Sequence, residues 1–523
     1  MAGKSRQQAV SIRALTCALI GTALALMSFV CPGAGAVENP FPAPDMTVST
    51  TVQPGDGKKA IKLDAQYTVI KQPPTPGAPL TLKGAVGFAD ANYPSILKSR
   101  AQMVAAAENV TVQRLNEYMP DSLFQYQEFM ASHNQLTATY YGSPVFPGIS
   151  GPGFDNVNMT PYFSALGGFS LDWAPLDFGL HKARINAARL QSLQSQQNFQ
   201  ATKVDVATAV ATAFLDVAVA VEQVKAAQQN VGSFEKFNSV VEAQISGSLK
   251  PAADGFLSRA QLANAQNDLI RANLAYEVAM ARLATSLGLG GRAVAVDSKG
   301  LATTDEPVEL QKAPPVFAEV PIVSTARAAL LTAIEEKKVL DKEYFPVLHF
   351  VGGVNVRGSG LDTFTGLPNY SASAAGTVPT RPNYQVALIV NWNFLDIFRL
   401  RAEKKVQTQR IYQQQQDYSL VLQNLRGQDA EARAKVKAAI ALAQNMPIQV
   451  ESANVAMRLA EARYGTGLGS VAQVAEAAQV LANSRVKQAS ARIGVWRALL
   501  EIAYVHGDLH PFVDEADRVQ RGQ

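Results

Sequence analysis

The sequence predicts an α+β membrane protein in which strand pairs of membrane-barrel type are joined to helices far too long for a compact domain. Three observations carry that expectation. The chain repeats itself: Trp173-x-x-Leu176-Asp177 returns as Trp392-x-x-Leu395-Asp396, a shift of 219 residues at which Ala183 also meets Ala402 and Asp254 meets Gln473. Each copy holds stretches in which apolar and polar residues alternate with period two, the pattern of a sheet with one apolar and one polar face. Each copy also holds a run of about 69 residues almost free of helix breakers, 177–245 and 396–464. Self-similarity of this kind overrides a domain count taken from length alone.

Taken in order, the chain opens with Lys4, Arg6 and Arg13, an apolar run from Ala14 to Val30, and Ala34-Gly35-Ala36. That is the layout of a secretory signal, expected to be cleaved after Ala36; at about 17 residues the run is short for a membrane anchor, which needs roughly 20. Both cysteines, Cys17 and Cys31, fall in or beside it. The remaining chain then has no thiol for a disulfide, a zinc site or a cysteine nucleophile. Val30 does not suit a lipidated Cys31. Three of the four net positive charges also lie in the signal, leaving about +1, no basic field for nucleic acid. After the signal no apolar run of membrane-helix length is expected, so any span must be built from strands.

Residues 37–79, rich in Pro and Thr, read as an extended N-terminal segment. Residues 80–300 form the first repeat, 301–508 the second and 509–523 a C-terminal tail. A helix over 83–117, with Pro94 dividing off a short first part, precedes a strand at His133–Tyr141, a Gly/Pro-rich loop at Gly142–Pro161, and a return strand. On that return strand Phe163, Ala165, Gly167, Phe169, Leu171 and Trp173 share one face, and Ser164, Ser170 and Asp172 the other. The second copy repeats this, with Leu348, Phe350, Val354 and Val356 against His349, Asn355 and Arg357. After the loop Gly358–Pro382 come Tyr384, Val386, Leu388, Val390, Trp392 and Phe394 against Gln385, Asn391 and Asn393. A soluble hairpin would show the same alternation; the helices decide against it. Val210, Phe214, Val217, Val221 and Val224, and Ala432, Val436, Ala439, Ala443 and Met446, step along coiled-coil seams. At ~1.5 Å per residue each long helix would reach on the order of 100 Å. Pro447 should kink the second, and Gly232 should loosen the first at nearly the same height. Shorter helices over 252–288, 322–343 and 470–507, with the first, are expected to stack end to end in pairs, so that one protomer supplies four staves.

Leu80-Thr81-Leu82-x-x-Ala85-Val86 with Asn92-x-Pro94, the two Trp-x-x-Leu-Asp corners and Tyr464-Gly465-Thr466-Gly467-Leu468-Gly469-Ser470-Val471 together resemble the outer membrane efflux protein family, the TolC-like channels, over about residues 80–508. The resemblance implies a homotrimer with a shared 12-stranded β-barrel, four strands per protomer, in outer-membrane lipid. It continues as a long α-helical coiled-coil barrel across the periplasm of a Gram-negative cell. It implies a passive exit duct of a tripartite efflux pump or type I secretion system, with no cofactor and no catalysis, opened at its periplasmic tip. A periplasmic adaptor (membrane fusion) protein and an inner-membrane pump of RND or ABC type would do the opening. Four strands cannot close a barrel, and an open edge is not tolerated in lipid, so several copies must combine.

The same resemblance assigns candidate sites. The adaptor-docking turns fall on Gly247, Ser248, Leu249 and Lys250, and on Gly465, Thr466, Gly467, Leu468, Gly469 and Ser470. The family's inner aspartate positions at the periplasmic aperture fall on Gln473 and Glu476, of which only Glu476 keeps the charge; three copies would make an acidic ring. The equivalent of Gln473 in the first copy is Asp254, which reads as a helix cap or first-turn acid. Trp173 and Asp177, with Trp392 and Asp396, mark the strand-to-helix corners, where a membrane-interface belt and corner packing both account for the tryptophans. Gly465-x-Gly467-x-Gly469 follows a helix rather than a strand, so it reads as a tight turn and not a nucleotide loop. His506 and His510 have the spacing of a metal pair but no accompanying glutamate, and Pro511 should end the segment; they read as a surface pair. A soluble periplasmic coiled-coil adaptor or structural protein is the competing reading. It explains the helices and the signal but not two strand pairs or the repeat.

Overall fold

The computed structural model describes residues 76–132, 161–247, 251–292, 294–301, 317–360 and 376–521. Within this part of the chain the order helix, two strands, very long helix, shorter helix occurs twice. The first pass is α1 (Leu82–Asn92), α2 (Pro94–Tyr118), β1 (Asp121–Ser132), β2 (Pro161–Leu176), α3 (Leu180–Ser246) and α4 (Ala252–Ser286). The second is α5 (Pro321–Lys342), β3 (Val347–Ser359), β4 (Arg381–Asn391), α6 (Ile397–Gly465) and α7 (Val471–His506), followed by α8 (His510–Gln520).

Local chemistry explains the boundaries. Tyr93, the residue before Pro94, is held extended (φ −71°, ψ 127°) and separates α1 from α2, because the proline ring disfavours a helical conformation in its predecessor. Pro447 does not interrupt α6, which runs unbroken for 69 residues, and Gly232 lies inside the continuous 67-residue α3. Neither position interrupts its helix. Pro511 does not end the chain's structure either. It sits in the first turn of α8, where a proline costs no hydrogen bond, and Phe512 packs edge-on against Trp496 at 6.0 Å. The tail is thus part of the core. Gln520 accepts from the Leu82 amide at 3.0 Å and donates to the Asp297 carbonyl at 2.8 Å, tying the end of α8 to the start of α1.

Shorter helices lie along the two long ones. On α3, α2 covers the strand-proximal part, where Thr202 donates to Ser99 at 3.3 Å. Further along, α4 covers the distal part, where Arg259 meets Glu242 at 3.2 Å. Likewise α5 lies on the start of α6, with Gln407 donating to the Ala333 carbonyl at 2.9 Å, and α7 on the remainder, with Lys435 and Glu501 at 2.7 Å. The main core forms where these meet. Val210, Phe214 and Val217 of the expected seam are fully buried with Leu82, Ile96, Leu283, Ile493 and Trp496. One correction follows. By length and composition α3 does contain an apolar window that could cross a membrane; here its valines and leucine instead serve this core, among them Leu215 and Val210.

The four strands form one antiparallel sheet in sequence order. The first is Asp121–Ser132, upstream of the strand expected at His133–Tyr141, which lies outside the described residues. Register aligns Phe124, Phe169, Val354 and Tyr384 in one row, and Trp173, Phe350 and Leu388 in another. These rows, with Val386 and Val390, are exposed. The opposite face carries Gln125, Asp172, His349, Asn355 and Gln385, with His349 Nδ1 and Asp172 Oδ1 at 2.9 Å. The sheet therefore has an exposed apolar face and a polar face, as the alternation in β2, β3 and β4 predicts.

Candidate functional site

The two helix pairs turn at the end of the chain farthest from the sheet. The α6–α7 turn is fixed by its backbone. Leu468 N donates to Arg463 O at 2.9 Å and Gly467 N to Tyr464 O at 3.1 Å, the paired bonds that close a helix C-terminus. Gly467 takes the left-handed conformation (φ +82°) this closure requires. At Gly469 a Cβ would lie 3.0 Å from the Tyr464 amide nitrogen, so the turn passes tightly under the last turn of α6. Ser470 then starts α7 with a reciprocal cap: its Oγ accepts from the Gln473 amide and Gln473 Oε1 accepts from the Ser470 amide, both at 3.3 Å. Gln473 is thus a capping residue, while Glu476, one turn on, is exposed. Leu468 at the apex projects into solvent.

In the other pair α3 is closed by Gly247, and Asp254 stands in the first turn of α4. Ser248, Leu249 and Lys250 lie outside the described residues. The helices are in close contact here, since a Cβ on Gly255 would meet Ile245 Cδ1 at 2.8 Å. Glu242 accepts from Asn238 at 3.1 Å and from Arg259 at 3.2 Å; these bonds hold its carboxyl below the usual range. Glu242, Ile245, Ser246, Phe256 and Arg259 border an open groove of about 340 Å³.

The structure joins the two turns through a residue that sequence reasoning assigned only to the turn motif. Tyr464, 1% exposed, stands edge-on to Phe237 at 5.1 Å, and its hydroxyl donates to Asp254 Oδ2 at 3.5 Å. Burial, and secondarily the Asp254 charge, push its hydroxyl above the ordinary tyrosine value, so it remains a donor. No spacing in the sequence relates 464 to 254; only the packing of α6 against α3 and α4 does. Asp254 therefore has a partner in the second repeat, while its counterpart Gln473 is used locally.

At the sheet end, both corner tryptophans make the same bond. Trp173 Nε1 donates to Tyr118 O at 3.2 Å and Trp392 Nε1 to Tyr344 O at 3.0 Å. Trp173 thus ties β2 to the end of α2, and Trp392, just past β4, ties back to the stretch between α5 and β3. The aspartates differ: Asp177 accepts from the Gly179 and His181 amides, whereas Asp396 pairs with Arg399 at 3.2 Å. His506 binds Asp429 at 3.1 Å and His510 opens α8, so the two histidines serve separate contacts. Among the described residues no cluster of three or more metal-ligating side chains occurs.

A sheet with an exposed apolar face, rooted on helices of about 100 Å and ending in paired turns, defines a membrane-embedded duct carried on a helical stalk. The chain belongs to the outer membrane efflux protein family, which matches residues 88–289 and 318–507. No curated relative matches the sequence significantly. Among solved structures the fold is similar to the outer membrane channel CmeC of Campylobacter jejuni (13% identity, 91% of this chain and 98% of that one, TM-score 0.64). It is similar also to the outer membrane protein VceC of Vibrio cholerae (14%, 82% and 96%, TM-score 0.63) and to the open state of the MtrE outer membrane channel of Neisseria gonorrhoeae (17%, 82% and 89%, TM-score 0.62). The protein is accordingly an outer-membrane exit duct that extends into the periplasm, in a family of channels rather than enzymes. Channels of this family form trimers and work with adaptor and pump partners.

Proposed function

We propose that three copies of this chain close a shared 12-stranded barrel and act as a passive duct for a tripartite efflux pump or type I secretion system. The observation that carries the reading is the four-stranded sheet with β1 and β4 at its edges. Unpaired strand edges are not tolerated in lipid, so β4 of one copy must pair with β1 of the next. Exposed apolar residues support association along the helices as well: Ile270, Leu274 and Val278 form an i, i+4, i+8 stripe on α4, and Val406, Tyr412 and Leu420 are exposed on α6. Such a stripe fits burial against a neighbouring copy.

Opening occurs at the tip. The bond from Tyr464 to Asp254 holds the second helix pair to the first, and three Glu476 carboxylates near the axis favour cations and repel one another. A periplasmic adaptor docks at 247–250 and 465–470, using the groove beside Glu242 and Arg259, and an inner-membrane RND or ABC pump supplies the energy. Size in detergent together with single-channel conductance in a planar bilayer tests the reading. A trimer with small, cation-preferring conductance is expected. A monomer extracted without detergent and giving no conductance would overturn it.

A further inference from the structure

Below the apolar rows of the sheet, three segments at the junctions between strands and helices each place an exposed aromatic within two helical turns of a cation. Phe178, left-handed at φ 53° and 60% exposed, precedes Lys182, which lies in the first turn of α3. Phe345 follows Lys342, whose Nζ lies 5.4 Å from its ring centroid. Phe398, 68% exposed, shares a stripe of α6 with Arg401 and Lys405, because residues three, four and seven apart fall on one helix face. The three segments are neighbours. Phe178 and Phe345 are 5.8 Å apart, a Cβ on Gly179 would stand 3.8 Å from Lys342 Cε, and Lys404 pairs with Asp341 at 2.9 Å across α5 and α6.

The acids of this region are already engaged. Asp396 and Glu403 are held by Arg399, Asp341 by Lys404, Glu117 and Glu343 by Arg184, and Asp177 by backbone amides. Lys182, Lys342, Arg401 and Lys405 make no ion pair among the described residues. Arg401 and Lys405 even place like charges one turn apart, an unfavourable arrangement unless an anion from outside the chain lies between them. The belt also continues the lipid-facing row of β4, Leu388 and Val390, through Trp392 and Phe394.

We propose that this belt is a binding seam for anionic phospholipid headgroups of the periplasmic leaflet, with the aromatic rings at the acyl boundary and Lys182, Lys342, Arg401 and Lys405 on the phosphates. Aromatic rings favour the membrane interface, long cationic side chains reach toward the headgroups, and each cation near an anionic surface strengthens attachment. The seam rests on the assignment of the apolar sheet face to lipid, which detergent-dependent extraction checks separately.

The test is native mass spectrometry of the full chain purified in detergent, with phosphatidylglycerol or phosphatidylcholine of matched chains added. Wild type should retain phosphatidylglycerol about tenfold more strongly, and the preference should fall as salt is raised. Replacing all four cations (Lys182→Gln, Lys342→Gln, Arg401→Gln, Lys405→Gln) should bring the ratio close to one, while a control pair elsewhere, Lys98→Gln with Lys437→Gln, should keep it. Heat-modifiable mobility establishes that the variants fold. Should the fourfold variant not fold, Lys182→Gln and Arg401→Gln singly must each reduce the ratio. Equal retention of the two lipids by wild type, or an unchanged preference in the folded cation variants, would overturn the seam.

Discussion

Tyr464→Phe removes one oxygen atom and leaves the ring edge-on against Phe237, so it isolates the contact between the two helix pairs. A hydrogen bond to a charged acceptor contributes about 1.5–3 kcal/mol at good geometry. At 3.5 Å the bond is at the outer limit, and Asp254 is only partly buried, so water can replace the lost donor. About 0.5–1 kcal/mol per protomer is a reasonable share. If three protomers must release together, the closed state loses about 1.5–3 kcal/mol, which raises the open population about tenfold to a hundredfold. The assay is single-channel recording of wild type and variant in a planar bilayer, with thermal unfolding in detergent alongside. Open probability or mean conductance should rise while the melting midpoint moves little. Asp254→Asn keeps an acceptor for the hydroxyl and should have a smaller effect, and the double variant should add little to Tyr464→Phe alone. Unchanged conductance in both single variants would refute the reasoning and leave Tyr464 as a packing residue.

Further outcomes follow from the same geometry. Asp429 is partly buried, which alone would raise its carboxyl, but bonds from Arg433 and His506 overcome this and hold it below the usual range. A carboxyl held low stabilises the fold above its unfolded value and loses that contribution as pH falls through its folded value. Asp429→Asn should therefore flatten the loss of stability below about pH 4 in acid titrations of the melting midpoint. Gly467→Ala forces a side chain into a left-handed conformation (φ +82°) and should cost about 1–2 kcal/mol per protomer, read as a lower denaturation midpoint. Gln473→Asp adds three acids near the tip of a trimer. An acid in the first turn suits the helix dipole and offsets loss of the glutamine cap, so stability should change by less than about 1 kcal/mol, while the cation-to-anion permeability ratio should rise; an unchanged ratio would place position 473 away from the conduction path.

Much of the fold was legible because two periodicities are written strongly. Breaker-free runs set α3 and α6 within three residues of their observed ends, and period-two alternation set β2 and β4. The first strand was not legible for a definite reason. On β1 the face that carries Phe124, Tyr126 and Met130 also carries Glu128 and Ser122, while Leu123 stands on the other, so neither face is uniform in sequence. Pro447 and Gly232 show the opposite failure. Both are breakers by intrinsic propensity, yet α6 and α3 continue through them; packing along neighbouring helices outweighs one missing hydrogen bond or one flexible residue. Helix α8 was hidden because Pro511 reads equally as a stop or a first-turn residue.

The proposed aperture positions 254 and 473 are equivalent in the repeat, and their side chains make different contacts. Position 254 keeps a carboxylate that reaches across to Tyr464. Its counterpart 473 carries glutamine that turns back on its own cap. The repeat supplies two helix pairs, and the side chains at 254 and 473 differ in whether they reach across to the other pair. The α6–α7 pair is closed on itself by Gly467, Gly469 and the Ser470–Gln473 cap. The α3–α4 pair is held by its own Glu242–Arg259 contact and, through Asp254, bonds to Tyr464 of α6. Under the proposed gating, the Tyr464–Asp254 bond, repeated in each copy around an axis, adds to a closed state that also rests on the packing of Phe237, Val241, Ala453 and Tyr464. Under the proposed docking at the neighbouring turns, an adaptor has to break that bond in each copy to release it.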